Sequence, residues 1–149
     1  MLYYLDSSAL VKLYIREIGS ERMLELAARK AGHQLVLLSL SQVEVRSALR
    51  ELQRAGKISG RLADELLGSF QRHLESKFIR QVVTEAILDL ACQLLDRHSL
   101  TSFDAVQLAG YFAVRTAAGN DVPVLACADR DLLTAAEAEG IRVFNPCSA

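Results

Sequence analysis

Asp6, Glu44, Asp104 and Asp129 are far apart along the chain, yet each stands just after a candidate strand or in the first turn of a candidate helix. Carboxylates gathered at such positions repel one another strongly unless a cation lies among them. Oxygen donors with no imidazole or thiol alongside select a hard ion, Mg²⁺ or Mn²⁺. Held by few carboxylates, such an ion keeps waters that can be oriented and partly deprotonated to attack phosphorus. Each acid also has a plainer explanation. Ser41-Gln42-Val43-Glu44 has the spacing of a capping box, and Asp104 and Asp129 would favour helix N-termini by about 0.3 to 1 kcal/mol each. Asp6 is harder to explain that way, because Ser7 and Ser8 follow it and can cap the helix in its place.

The elements that must position these acids are legible as alternating strands and helices. Leu2 to Leu5 is a short apolar and aromatic run that halts at Asp6, and Ala9 to Ile15 then follows a helical pattern. Ser20 caps a helix from Glu21 to about Ala31, with Gly32 as its stop; Gln34 to Leu38 reads as a buried strand. The capping box opens a helix through Glu51 or Arg54, and Ser59 begins another with Leu62, Leu66, Leu67, Phe70 and Leu74 on one face. Phe78 to Val83 is a third strand, followed by a helix capped by Thr84 and one opened by Thr101 to Asp104. The turn Gly119-Asn120-Asp121 precedes a strand from Val122 to Cys127, a helix from Leu132 to Glu139 and a last strand from Ile141 to Phe144. This order predicts an α/β fold, a three-layer α/β/α sandwich with a mostly parallel four- or five-stranded central sheet. A parallel sheet carries all four acid positions to one edge, where ligands of such folds bind.

The 149 residues, 51% hydrophobic and 23% charged, are expected to form one domain over residues 1–149. Apolar runs such as Leu35 to Leu38 and Val122 to Ala128 are too short for a bilayer, and no basic region precedes the first of them. Neither a membrane span nor a secretory signal is expected. Cys92, Cys127 and Cys147 are odd in number and widely spaced, as are His33, His73 and His98, which leaves no zinc or dithiol pattern and suits a reducing cytoplasm. A net charge of −1 gives no general pull toward a polyanion. Any contact must be local. Arg46, Arg50 and Arg54 recur every four residues beside Glu44, as a phosphate-tracking stripe or a solvated face partly balanced by Glu51. Lys12, Arg16 and Arg130 are further RNA-facing candidates, with ordinary solvation as the alternative. Tyr3, Tyr4, Tyr14, Phe70, Phe103, Phe112 and Phe144 form no basic-aromatic track and are assigned to the core. Leu62 to Leu74 either closes that core or offers a groove to a partner helix, and Gly56 to Gly60 is the expected flexible joint.

Leu5-Asp6-Ser7-Ser8-Ala9-Leu10-Val11-Lys12-Leu13 resembles the opening signature of PIN-domain ribonucleases, especially the VapC toxins of toxin-antitoxin pairs. Ser102 to Ala109 is similar to that family's second block, and Leu125 to Leu132 with Gly140 to Pro146 to its last. The resemblance covers nearly the whole chain and keeps the order of the blocks. It implies that Asp6, Glu44, Asp104 and Asp129 form an acidic quartet holding one or two Mg²⁺ or Mn²⁺ ions to cleave RNA. Asp6 and Asp104 would be direct ligands; Glu44 and Asp129 would act through water. It also implies a homodimer and a cognate antitoxin whose C-terminal segment covers the site. The sequence departs from the pattern at Cys127, where the family commonly has Thr, and Asp131 is a substitute candidate for Asp129. A catalytically silent PIN-like interaction module is the alternative. An aspartyl-nucleophile phosphotransferase ranks below both, since Ser8 stands where that chemistry wants a second Asp.

Overall fold

The computed structural model describes residues 1–148. Among them, five strands form one all-parallel sheet: β1 (Leu2–Leu5), β2 (Gln34–Leu38), β3 (Ile79–Gln81), β4 (Val124–Ala126) and β5 (Val143–Phe144), in the order β3-β2-β1-β4-β5. The connecting helices are α1 (Ser7–Leu10), α2 (Ser20–Ala27), α3 (Ser41–Arg54), α4 (Gly60–Ser76), α5 (Glu85–Arg97), α6 (Ser102–Ala118) and α7 (Arg130–Ala138). Successive side chains on a strand face opposite ways, so the sheet feeds two cores. Tyr4, Val36, Leu38 and Leu125 pack with α5, α6 and α7 on one face; Leu5, Leu35, Leu37 and Ala126 pack with α1 to α4 on the other. The expected α/β/α sandwich is therefore the observed one, with the sheet at the upper limit of its expected size.

Strand order reverses between β1 and β4, and this reversal decides where a site can form. The chain winds from β1 out to β2 and β3, then returns to β4 on the other side, so the helices after β1 and β4 part at the carboxyl ends of those strands, where open α/β sheets form a ligand crevice. Asp6 N–H donates to Ala126 carbonyl oxygen at 3.0 Å, which fastens the end of β1 to the end of β4 at that crevice.

Several local expectations are corrected. The first helix is only Ser7–Leu10 followed by a 3₁₀ turn over Val11–Leu13, and the second stops at Ala27 before another 3₁₀ turn over Arg29–Ala31. The third strand is shorter than expected and half-exposed, as suits an edge strand carrying Arg80. The capping box does not form: residue Leu40 is the N-cap of α3, and Ser41 turns inward instead. No described helix is long and apolar enough to cross a membrane.

Candidate active site

Asp6 is only 3% exposed, and it caps α1 itself. Its Oδ2 accepts the Ser8 N–H at 3.0 Å and the Ser8 hydroxyl. The expectation that Ser7 or Ser8 would relieve it of this duty is thus wrong, since both serines serve the acids. Burial drives the Asp6 carboxyl upward from 3.8 to about 6, against the pull of the Ser8 hydrogen bonds and with the negative charges of Glu44 and Asp104 pushing the same way. That push comes from two other helices. Asp6 caps α1, while Glu44 and Asp104 stand in the first turns of α3 and α6.

Glu44 is held from beneath by a buried polar chain. Its Oε1 accepts the Ser7 hydroxyl at 2.9 Å and the Gln107 amide at 2.7 Å. Gln107 is fully buried, donates also to Ser41 Oγ at 3.0 Å and Ser7 Oγ at 3.1 Å, and accepts the Tyr4 hydroxyl at 2.8 Å. No buried side-chain nitrogen or oxygen among the described residues lacks a partner, as a polar group in a packed core requires. Tyr4 is held protonated by burial and then by the charges of Asp6 and Glu44, which raise its pKa well above 10.0. Sequence reasoning missed Gln107, Ser41 and the Tyr4 hydroxyl. The available signal was one polar residue inside the apolar face of α6, three positions after Asp104.

Asp104 and Asp129 complete the edge. Thr101 caps α6 by accepting the Asp104 N–H at 3.2 Å, and Asp129 caps α7 by accepting the Leu132 N–H at 2.9 Å. The Asp104 carboxyl is pushed up by desolvation first, then by the charges of Asp129, Glu44 and Asp131, while Thr101 opposes the shift. The charge of Asp129 weighs on Asp104 more than that of exposed Asp131 does. Cys127 is buried between these acids, with Sγ 3.7 Å from Asp6 Oδ2 and accepting the Asp129 N–H at 3.3 Å. Its thiol takes up, at longer range, contacts that a hydroxyl could make. Burial, then the charge of Asp6, keeps it protonated.

This donor set fits a hard divalent cation in type and in field. All four acids offer oxygen, Asp6 and Asp104 hold protons more tightly because they are desolvated and, secondarily, because their neighbours are negative, and the bonds to Asp6 and Glu44 each fall on a single oxygen. The spacing is looser than the expected shared cage: no three acidic, histidine or cysteine side chains among the described residues stand close enough to hold one ion. The basic candidates divide. Arg46 and Arg54 are exposed, whereas Arg50 pairs with Asp64 at 2.8 Å, not with Glu51. Lys12 is buried and paired with Glu17 at 2.7 Å, so it is neither solvated nor free for a phosphate; Arg16 is exposed and 3.5 Å from Glu21. Phe103, expected in the core, is 53% exposed.

The sequence matches the PIN-domain family over residues 3–138. The chain belongs to that family. Solved structures with the same fold include the VapC20 toxin of Mycobacterium tuberculosis, which cleaves the sarcin-ricin loop, at 16% identity and a TM-score of 0.64 over 95% of this chain and 96% of that one. VapBC2 of Rickettsia felis, bound to a DNA fragment from its promoter, aligns at 12% identity and a TM-score of 0.65 over 97% of this chain and 98% of that one. FitAcB of Neisseria gonorrhoeae aligns at 14% identity and a TM-score of 0.62 over the whole of both chains. These PIN-domain neighbours are VapC and FitB toxins of toxin-antitoxin systems, and at such identities they show the shared fold. Among curated proteins, none matches the sequence.

Proposed function

We propose that this PIN-domain protein is an Mg²⁺- or Mn²⁺-dependent endoribonuclease, the toxin of a VapBC-like pair in the cytoplasm, acting as a homodimer and restrained by a cognate antitoxin. The observation that supports the reading is placement: Asp6 follows β1 and Asp129 follows the adjacent β4, while Glu44 and Asp104 stand in the first turns of α3 and α6, with Glu44 bonded to Ser7 beside Asp6. Asp6 and Asp104 would hold the ion directly, with Glu44 and Asp129 binding through water. When bound, the ion supplies charge neutralisation at phosphorus and a more acidic water.

The chain's own groups do the positioning. Ser8 fixes one oxygen of Asp6, and Ser7 and Gln107 fix one oxygen of Glu44, so each carboxylate has a set orientation and an oxygen outside these bonds. Asp104 and Asp129 are aimed by the helix first turns that they occupy or cap. The buried Tyr4 and Cys127 close the floor of the crevice against water and remain protonated beside the negative charge. Purified protein with Mg²⁺ or Mn²⁺ should cut RNA and stop on chelation. Asp6→Asn and Asp104→Asn should abolish cutting with the far-ultraviolet circular dichroism unchanged; both variants cutting like the wild type would refute the assignment.

Cys127 favours a second reading, a catalytically silent module that acts through protein contacts, because a thiol makes weaker hydrogen bonds than the hydroxyl it replaces. Cys127→Thr distinguishes the two. Activity present in the wild type and merely increased by the substitution supports the nuclease; activity absent from both supports the silent module.

A further inference from the structure

The α6 stripe that faces the sheet runs through Phe103, Gln107, Gly110 and Val114, spaced four, three and four residues apart. Gln107 is buried against Tyr4, Ser41 and Glu44, Gly110 lies against Tyr4 and Leu38, and Val114 belongs to the core of that face. Only Phe103, one turn beyond Gln107 and next to Asp104, is left 53% exposed. The stripe outruns the sheet at the edge where the acids gather. An aromatic ring is thus left exposed in the first turn of α6, one residue before Asp104.

We infer that Phe103 is a stacking platform for an unpaired nucleobase of the RNA, next to the phosphate presented to the acids. The inference rests on the ribonuclease reading above and adds how substrate is gripped and selected. With a net charge of −1, Lys12 consumed by Glu17 and Arg50 consumed by Asp64, the electrostatic hold on a phosphate backbone falls to exposed side chains such as Arg46 and Arg54. Base stacking on an aromatic face supplies affinity that does not depend on charge and tolerates any base. A base inside a duplex is already stacked and paired, so the platform selects single-stranded segments, loops and ends. A nucleotide flanking a phosphate at Asp104 reaches the adjacent residue directly, which favours RNA over a protein as the occupant of this ring.

The test uses Phe103→Ala, Phe103→Leu and Phe103→Trp in the full chain. With a single-stranded RNA substrate, Ala and Leu should each raise KM about tenfold, leaving kcat, Mn²⁺ binding and the thermal midpoint unchanged; Trp should retain the wild-type KM. Leu keeps apolar area without a ring, so it separates stacking from burial. The chain contains no tryptophan, so Phe103→Trp in an Asp6→Asn background places one fluorophore at the proposed contact. Its emission should be quenched saturably by a short single-stranded RNA and much less by the same strand annealed to its complement. An unchanged KM in Ala and Leu, or no quenching, overturns the inference while cleavage by the wild type leaves the function standing. A shift in oligomeric state with unchanged KM assigns the ring to a protein contact and likewise overturns it. A wild type that neither binds nor cuts RNA overturns both.

Discussion

At the scale of single residues, Asp6 carries the largest consequence. Its carboxyl titrates near 6 in the folded protein and near 3.8 when unfolded, so between those values the folded state binds more protons. Stability of the metal-free protein therefore falls as pH rises through that window, and the full penalty, on the order of 3 kcal/mol, is present above about pH 6. Asp6→Asn keeps a capping oxygen for the Ser8 N–H and removes the charge. It should raise the thermal midpoint of the metal-free protein at pH 7.5, with the advantage shrinking toward pH 4; a gain independent of pH would contradict the electrostatic origin. Gln107 acts through Glu44. Gln107→Leu strips donors from Glu44, Ser41 and Ser7 and an acceptor from Tyr4, which should cost about 1 to 3 kcal/mol in chemical denaturation and lower kcat more than it raises KM.

At the scale of elements, close approach of α6 to β1 is what brings Gln107 and Asp104 to the crevice. Gly110 permits it: a Cβ there would run into Tyr4 Oη and stand 3.0 Å from Leu38 Cδ1. Gly110→Ala should destabilise the fold by about 1 to 3 kcal/mol and loosen the Tyr4 to Gln107 bond, measured as a lower denaturation midpoint with reduced cleavage. Thr101→Ala should cost about 1 kcal/mol of stability by removing the α6 cap. It should also push the Asp104 carboxyl further up, because the Thr101 hydrogen bond now opposes that shift; Mn²⁺ affinity would then fall most steeply below neutral pH.

The elements themselves were largely written in local sequence. Continuous apolar runs marked β1, β2 and β4, and Ser59, Thr84 and Thr101 marked helix starts that the structure keeps. Two of the failures share one physical cause, namely that tertiary partners outbid local ones. Ser41 and Glu44 satisfy a capping box on paper, yet Gln107, 66 and 63 residues away, claims both side chains. Asp6 caps although two serines stand ready, because its end of β1 is fastened to β4. Phe103 looks like core on composition, and only the place where the sheet ends reveals that nothing covers it.

For the whole molecule, the reversal of strand order between β1 and β4 places Asp6 and Asp129, far apart in the chain, beyond the ends of neighbouring strands, and the charges of Glu44 and Asp104 add to the effect of burial on Asp6. Bringing these charges together opposes folding, and a divalent cation reverses the sign of that term. A ligand bound only by the folded state stabilises it by about 2.7 kcal/mol at a hundredfold excess over Kd. Mn²⁺ should therefore raise the thermal midpoint of the wild type and leave Asp6→Asn nearly unmoved. The measurement that bears most directly on a shared cation site is Mn²⁺ titration at pH 7.5 followed by electron paramagnetic resonance of the free ion. Saturable binding by the wild type, lost in both Asp6→Asn and Asp104→Asn while each stays folded, is the expected result; equal binding by all three proteins, or none by the wild type, would contradict it.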